Sequence, residues 1–198
     1  MSRVIDGRAG GDGPSRPAVC SGVHRSHLAA ARDVSGTWPS GHSVWAFRGL
    51  AEFHARVGRF LAQGAARGER LLLVEDDPRP GQWPSELLER EVLRLASVAE
   101  VYGSARLPDP TAQEAVFDQV LGEALADGYV GLRIAADNTS VATGGERLAA
   151  WCRWEARADR FMAAEPVTGL CAFDRVRLDA GDLRLLVGLH EVRVGPEP

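Results

Sequence analysis

The chain has 198 residues, 45% of them hydrophobic and 25% charged, which fits one globular domain with an additional segment. Its formal net charge of −4 does not indicate binding to nucleic acid or to an anionic membrane. All 23 basic residues are arginines, which excludes lysine Schiff bases and the phosphate-binding lysine of a P-loop. The three cysteines, Cys20, Cys152 and Cys171, form no CxxC pair and predict neither a disulfide framework nor a zinc site.

Residues 1–40 differ in composition from the rest of the chain. Gly, Ser, Pro, Arg and Asp dominate there, and large apolar side chains are few. Such a segment cannot bury enough apolar surface to offset its ordering entropy, so we predict a disordered tail before a folded domain at 41–195. No apolar signal-peptide core and no window of membrane-spanning length occurs. We therefore expect a cytoplasmic protein that does not contact membranes.

The folded domain alternates between strand and helix patterns along its first half. The apolar run at 70–75 is continuous, as expected for a strand that is buried on both faces. Thr111 is followed three residues later by Glu114, which indicates a capping box at a helix start. The predicted elements, in order, are a strand at 43–47, a helix at 50–66, a strand at 70–75, a helix at 83–95, a short strand at 99–102 and a helix at 112–127 that Thr111 caps.

The alternation continues to the end of the domain. The predicted elements are a strand at 128–137, a helix at 144–163, a strand at 167–174, a helix at 178–189 and a final edge strand at 191–194. Consecutive strand–helix units imply right-handed crossovers and parallel strands. The sequence therefore predicts an α/β fold of three layers, with helices on both faces of a mostly parallel sheet.

Three predicted strands end on carboxylates. These are Glu75, followed by Asp76 and Asp77, then Asp137, and finally Asp174. In an open parallel sheet the ligand lies outside the carboxyl ends of the strands, so these side chains are candidates for ligand binding. The alternative is that each caps the helix or turn that follows, which is common at strand–helix connections.

Four further residues are candidates for the site. Arg133 lies inside an apolar strand, where a charge requires a partner, and Glu155 on the following helix is the expected one. This pair either recognises an anion or ties helix to sheet. His42 either faces the ligand crevice or packs locally, and Trp45 either lines the pocket or fills the core. We expect His54, on the first helix, to face solvent.

Several kinds of reactive site are not indicated. The chain contains no GxxxxGK[ST], no GxSxG and no HExxH, and its histidines are not clustered along the sequence. We therefore predict no catalytic residues, no metal site and no cofactor.

The order and spacing of several short motifs resemble the MEDS family, the methanogen/methylotroph DcmR-type sensory domain. The residues that carry the resemblance are His42 with Phe47, Phe60-Leu61-Ala62-Gln63-Gly64, Gly68-Glu69-Arg70, Gly128-Tyr129 with Gly131-Leu132-Arg133 and Asp137, Trp154-Glu155, Leu170-Cys171 with Phe173-Asp174, and His190. The chain departs from the family pattern at Asp137, where Glu is common, and at Glu191, where Pro usually follows the histidine. These departures leave the ligand open.

The resemblance implies a RecA/KaiC-like module with a sensory role that binds a small organic ligand and signals to a protein. Partners of the family include helix-turn-helix, STAS and kinase-like modules, so transcriptional or anti-sigma-type regulation is expected here, without direct nucleic-acid binding. The ligand-binding residues we predict are His42, Trp45, Arg133, Asp137, Glu155 and Asp174. The alternative is a pure protein–protein interaction module whose pocket is vestigial. A homodimer is compatible with either hypothesis.

Overall fold

The computed structural model describes residues 38, 40–103, 107 and 109–195. The tail predicted at 1–40 lies outside the described residues, apart from Trp38 and Ser40. The strands are β1 (His42–Phe47), β2 (Arg70–Glu75), β3 (Leu93–Ser97), β4 (Leu132–Asp137), β5 (Val167–Asp174) and β6 (Val192–Arg193). The helices are α1 (Gly49–Ala66), α2 (Ser85–Glu89), α3 (Val98–Tyr102), α4 (Pro110–Ala126), α5 (Gly145–Ala164) and α6 (Ala180–Gly188).

The six strands form one sheet in the order β3-β2-β4-β5-β1-β6, and every pairing is parallel. Strands β2, β4 and β5 are therefore direct neighbours, and their carboxyl ends lie side by side. The register places Asp137 opposite Ala172, and Phe47 opposite Asp174. This arrangement confirms the predicted α/β fold.

Two apolar clusters cover the two faces of the sheet. The first face packs against α1 and α2 through residues such as Phe53, Phe60 and Leu73. The second face packs against α3, α4, α5 and α6, with Phe117 and Trp154 among its buried residues. Because side chains alternate along a strand, neighbours in sequence lie under different helical layers. The sheet is therefore the central layer of three, as predicted.

The sequence interpretation was wrong between residues 83 and 102. The helix predicted at 83–95 ends at Glu89, and Glu91 adopts a positive φ of 54° before β3 begins. Strand β3 then pairs with β2, so ladder hydrogen bonds override the weak helical spacing. The strand predicted at 99–102 is part of α3, because Ser97 and Glu100 form a capping box at its start.

Two other local details differ from the sequence interpretation. Asp109, not Thr111, is the N-cap of α4, and its carboxylate accepts a hydrogen bond of 2.9 Å from the Thr111 amide. Glu114 instead pairs with Arg157 of α5, with 3.2 Å between Nη2 and Oε1. Trp38, which the predicted boundary assigns to the tail, packs edge-on against Phe60 with 5.1 Å between ring centres.

Candidate functional site

The carboxyl ends of β2, β4 and β5 form a polar edge, which we call the carboxyl-edge site. Its members are Glu75, Asp76, Asp137, Asp174 and Arg177. The acids at 75, 137 and 174 continue the strand positions that face α1, because each lies two residues after a member of that apolar cluster. The structure therefore brings the three predicted strand-end carboxylates to one edge and to one face of the sheet.

Asp137 and Asp174 both make local turn contacts. Asp137 Oδ1 accepts hydrogen bonds from the amide and the hydroxyl of Thr139, at 3.0 and 2.5 Å. The Thr139 hydroxyl oxygen in turn accepts from the Asp174 amide at 2.8 Å, which links the ends of β4 and β5. Asp174 Oδ1 accepts from the Val176 amide at 2.9 Å. The turn-forming alternative is thus realised at both aspartates.

Glu75 is different, because half of its carboxylate has no local partner. Its Oε1 lies 2.6 Å from Nε2 of His54, whereas Oε2 is buried without a hydrogen-bond partner among the described residues. Burial raises the pKa of Glu75, against the lowering effect of His54, and Asp137 adds to the rise. The expectation that His54 faces solvent is wrong, because its side chain, on α1, contacts Glu75 at the end of β2.

Arg177 and Ser140 contact the acids at the outer part of the carboxyl-edge site, which we call its rim. The Ser140 hydroxyl donates to Asp76 Oδ1 at 2.5 Å, and Arg177 reaches Asp76 Oδ2 at 3.6 Å and Asp137 Oδ2 at 4.0 Å. Burial raises the pKa of Asp137, although Thr139 and Arg177 lower it. The rim therefore offers several hydrogen-bond acceptors and one partly exposed guanidinium.

Trp45 and Arg133 do not reach this edge. Trp45 is 1% exposed and lies beneath α1, with the Arg56 guanidinium 4.9 Å from its ring centre. It fills the core, as the alternative interpretation held. Arg133 is completely buried near the amino end of β4, so neither side chain is available to a ligand at the carboxyl end.

The predicted ion pair between Arg133 and Glu155 is not formed. Arg133 lies on the face of the sheet that α1 covers, and its Nε and Nη2 donate to Glu69, between α1 and β2, the latter at 3.3 Å. Its guanidinium also lies 4.6 Å from the Phe60 ring centre. Glu155 belongs to α5, on the second face of the sheet. The prediction failed because alternation along β4 places the arginine under the opposite helical layer.

Gly64 makes room for this buried arginine. A Cβ atom at position 64 would lie 2.4 Å from Cδ of Arg133 and 2.8 Å from a methyl group of Leu71. Helix α1 therefore approaches β4 closely at this point. The buried Arg133 has a structural role where the helix meets the sheet.

A second polar group lies buried on the other face, and we call it the His–Glu–Cys cluster. It consists of His42 at the start of β1, Glu155 on α5, Cys171 in β5 and His190 after α6. One donor atom from each residue lies within 4.8 Å of every other. His42 and Glu155 are thus brought together with each other, and not with the carboxyl-edge site.

The cluster is tightly spaced. His42 Nε2 lies 3.2 Å from Cys171 Sγ and 3.3 Å from Glu155 Oε2. His190 Nε2 lies 3.2 Å from the same carboxylate oxygen, and Cys171 Sγ lies 3.9 Å from it. The outward-facing Nδ1 atoms are also paired, with Asp159 Oδ1 at 2.5 Å from His42 and the Leu186 carbonyl at 3.0 Å from His190.

Burial and mutual charge act against each other in this cluster. Burial alone would raise the pKa of Glu155, but His190 and His42 beside it hold that pKa below its usual value. Burial alone would lower the pKa of His190, but Glu155 raises it above its usual value. Burial and the nearby Glu155 raise the pKa of the Cys171 thiol well above its ordinary range.

Sequence reasoning did not identify Cys171 and His190 as site residues. Cys171 reads as a small buried hydrophobe in a strand, and His190 as a residue at a helix–strand junction. The cluster forms because β1 pairs with β5, which sets His42 opposite Gly169 and close to Cys171. The strand order that creates this neighbourhood is a property of the whole sheet and has no local sequence signal.

A cavity of about 360 Å³ opens at the amino end of the sheet, opposite to the carboxyl-edge site. Its lining includes Gly41, Val130, Met162 and Thr168. Met162 also covers Gly169, next to the His42 ring. This cavity is a competing location for a small molecule.

Comparison with known proteins gives one family. The family model of the MEthanogen/methylotroph, DcmR Sensory domain, MEDS, matches residues 41–191 of this chain. No curated protein matches the chain. Among the residues that the structure describes, no helix combines the length and apolar character required to cross a membrane.

Proposed function

Because the chain belongs to the MEDS family of sensory domains, we propose that it is a non-catalytic sensor that binds a small organic ligand at the carboxyl-edge site. Its family membership gives a sensory role. The ligand, its location and the transfer of a signal to a regulatory protein are our proposals, as is the kinship of the fold with RecA and KaiC.

The observation that carries the proposal is the Glu75 carboxylate. It is 5% exposed, and its Oε2 has no hydrogen-bond partner among the described residues. A buried carboxylate oxygen without a partner is costly, and native proteins keep such groups mainly where a function or a bound molecule accounts for them. A ligand that donates a hydrogen bond to Glu75 would remove that cost.

The chemistry of the rim supports a proposal for the class of ligand. Glu75, Asp76 and Asp137 present carboxylate oxygens, and Arg177 provides the nearby donor. A small molecule with a hydroxyl or amine donor suits these acceptors, and a second polar atom would contact Arg177. A multiply charged anion does not suit a site in which acids outnumber the cation.

Signal transfer would begin at the loops after β2, β4 and β5. Ser140, after β4, contacts Asp76, after β2, and Arg177, after β5, contacts both Asp76 and Asp137. A ligand that competes for those carboxylates would therefore change the contacts between the loops. The change acts as a signal only if the ligand binds one loop arrangement more tightly than the other. A regulatory protein that contacts the loops would then read the difference, in transcriptional or anti-sigma-type control.

A thermal-shift screen of the full chain against small alcohols, amines and amides tests the proposal. We expect at least one compound to raise the unfolding temperature in a saturable manner, and Glu75→Gln to abolish that rise. Asp127→Asn is the matched control, because Asp127 forms an exposed ion pair with Arg70 at the opposite end of the sheet. Binding that survives Glu75→Gln unchanged would contradict the proposed location.

The alternative of a pure interaction module is not supported by an apolar patch on α5. An apolar patch on α5 would favour it, but the exposed large hydrophobic residues of the described part of the chain lie elsewhere. They are Leu50, Leu107, Leu125, Val130 and Val176. A protein partner that binds equally well to the wild type and to Glu75→Gln, with no compound stabilising either, would favour this alternative.

A further inference from the structure

We propose that His42, Glu155, Cys171 and His190 bind one transition-metal ion in tetrahedral coordination, with Zn²⁺ as the best match. The four residues come from four separate segments, namely β1, α5, β5 and the segment after α6. The proposal does not depend on ligand binding at the carboxyl-edge site, which lies on the other face of the sheet.

The spacing of the donor atoms fits a tetrahedral ion. Metal–ligand bonds of about 2.0–2.3 Å at tetrahedral angles separate neighbouring donors by about 3.3–3.7 Å. The observed separations are 3.2 Å for His42 Nε2 to Cys171 Sγ and 3.3 Å for His42 Nε2 to Glu155 Oε2. His190 Nε2 and Cys171 Sγ lie 3.2 and 3.9 Å from that oxygen. Small side-chain shifts would complete the coordination.

The donor types match a divalent transition metal. Imidazole, thiolate and carboxylate are the groups that Zn²⁺ takes as ligands. Two neutral imidazoles, one thiolate and one carboxylate together carry two negative charges, which a divalent cation balances. This balance matters because Glu155 is 1% exposed and Cys171 is 7% exposed, so an uncompensated charge there is costly.

The outer contacts orient the imidazoles as they do in metal sites. Nδ1 of His42 lies against the Asp159 carboxylate, and Nδ1 of His190 lies against the Leu186 carbonyl. Both oxygens are acceptors, so each Nδ1 carries a proton and a neutral ring turns its Nε2 lone pair towards the cluster. Metal-binding histidines are held in this way by carboxylates and backbone carbonyls.

One buried atom of the cluster faces the Glu155 carboxylate without an aligned hydrogen bond. His190 Nε2 has no hydrogen-bond partner among the described residues, and His190 is 2% exposed. The 3.2 Å approach of His190 Nε2 to the carboxylate is not aligned as a hydrogen bond. Two acceptor atoms at this distance repel each other unless a cation or a proton lies between them.

A metal-free network in which a protonated histidine pairs with Glu155 is the competing explanation. The two explanations differ in what the thiol does. A metal requires Cys171 as a thiolate ligand, whereas the network requires only that His190 and Glu155 attract each other. A spectroscopic signal from sulfur bound to metal therefore distinguishes them.

Cobalt(II) is the probe, since it occupies tetrahedral zinc sites and is coloured. The untagged full chain is stripped with a chelator and titrated with Co²⁺. We expect saturation at one ion per chain, with the intense visible absorption of tetrahedral cobalt and a near-ultraviolet sulfur-to-cobalt charge-transfer band. Added Zn²⁺ should displace the cobalt and remove both signals.

Cysteine variants assign the signal. In Cys20→Ser/Cys152→Ser only Cys171 remains, and we expect the charge-transfer band to persist. Cys171→Ser should lose the band, and Asp159→Asn should weaken affinity by about 10- to 100-fold because it removes an orienting contact. Absence of stoichiometric binding, or loss of the band in the double variant while circular dichroism shows it folded, would overturn the proposal. So would weak, octahedral-type absorption that Cys171→Ser leaves unchanged.

Discussion

Cys171 Sγ lies 3.2 Å from Nε2 of His42, although the two residues are 129 positions apart in the chain. The contact follows from the pairing of β1 with β5, and Glu155 of α5 and His190, after α6, lie around it. Four segments therefore meet at the buried His–Glu–Cys cluster. An ion bound in this cluster should change the stability of the folded protein.

Metal addition and removal should change thermal stability. An ion that binds only the folded chain stabilises it by about 2.7 kcal/mol when its free concentration is 100 times Kd. We expect a higher unfolding temperature with Zn²⁺ and a lower one after chelation, measured by calorimetry. Mg²⁺ is the control ion and should have no comparable effect, because it prefers oxygen ligands in octahedral geometry. Equal unfolding temperatures with Zn²⁺ and with chelator would contradict the metal site.

Gly64→Ala should destabilise the protein, although alanine is the better helix former. The new Cβ would lie 2.4 Å from Arg133, which cannot retreat because it is buried and held by Glu69. Overpacking of this kind costs about 1–3 kcal/mol, against about 1 kcal/mol gained in helix propensity. Gly58→Ala in the same helix has nothing within 4 Å of its Cβ and should stabilise. Urea unfolding of both variants measures the contrast, and equal effects would refute the close approach.

Arg133 and Glu69 should be energetically coupled. Arg133→Met leaves the Glu69 carboxylate without its main partner, at a cost of about 3 kcal/mol or more. Glu69→Gln should recover part of this loss in the double variant, with a coupling energy of about 1 kcal/mol or more by chemical denaturation. The control is a double-mutant cycle between Arg133→Met and Glu155→Gln. Because those two residues lie on opposite faces of the sheet, their changes in the free energy of unfolding should add. Strong coupling between them would contradict the structure.

Asp137 should make the native state less stable as pH rises. Burial raises its pKa in the folded protein above the value of about 3.9 in the unfolded chain. At a pH between these two pKa values the native state binds more protons than the unfolded state. The free energy of unfolding therefore falls as pH increases, and it stays level above the pKa of the folded protein. Asp137→Asn removes this dependence and retains an oxygen that accepts from Thr139. Its stability relative to wild type should therefore grow from about pH 4 upwards.

Urea titrations at several pH values measure that difference. Asp118→Asn, at an exposed position on α4, should show no such trend. A relative stability of Asp137→Asn that declines with pH would mean that the native state favours the charged carboxylate, contrary to the burial argument.

The main strands and long helices could be predicted from the sequence because each has a strong local pattern. The buried run that became β2 and the long helical spacing of α1 needed no tertiary information. The segment between 83 and 102 could not be predicted in this way. Its short elements depend on the pairing of β3 with β2 and on the cap made by Ser97.

The candidate site also has a part that could be predicted from the sequence and a part that could not. Asp137 and Asp174 share an edge because parallel strands end together, which follows from fold class alone. Pairing Arg133 with a residue requires knowledge of which helix covers which face, and the sequence does not contain that information locally. The proximity of His190 and Cys171 could not be predicted for the same reason, because it depends on the order of the strands in the sheet.

Ligand mapping by nuclear magnetic resonance on the full ¹⁵N-labelled chain tests the central claim most directly. The compound that gives the largest saturable thermal shift is titrated, and the amide shifts are followed. The account predicts changes concentrated at 75–77, 137–140 and 174–177, all lost in Glu75→Gln. Changes confined to the amino-end cavity, at Gly41, Val130 and Thr168, would contradict it.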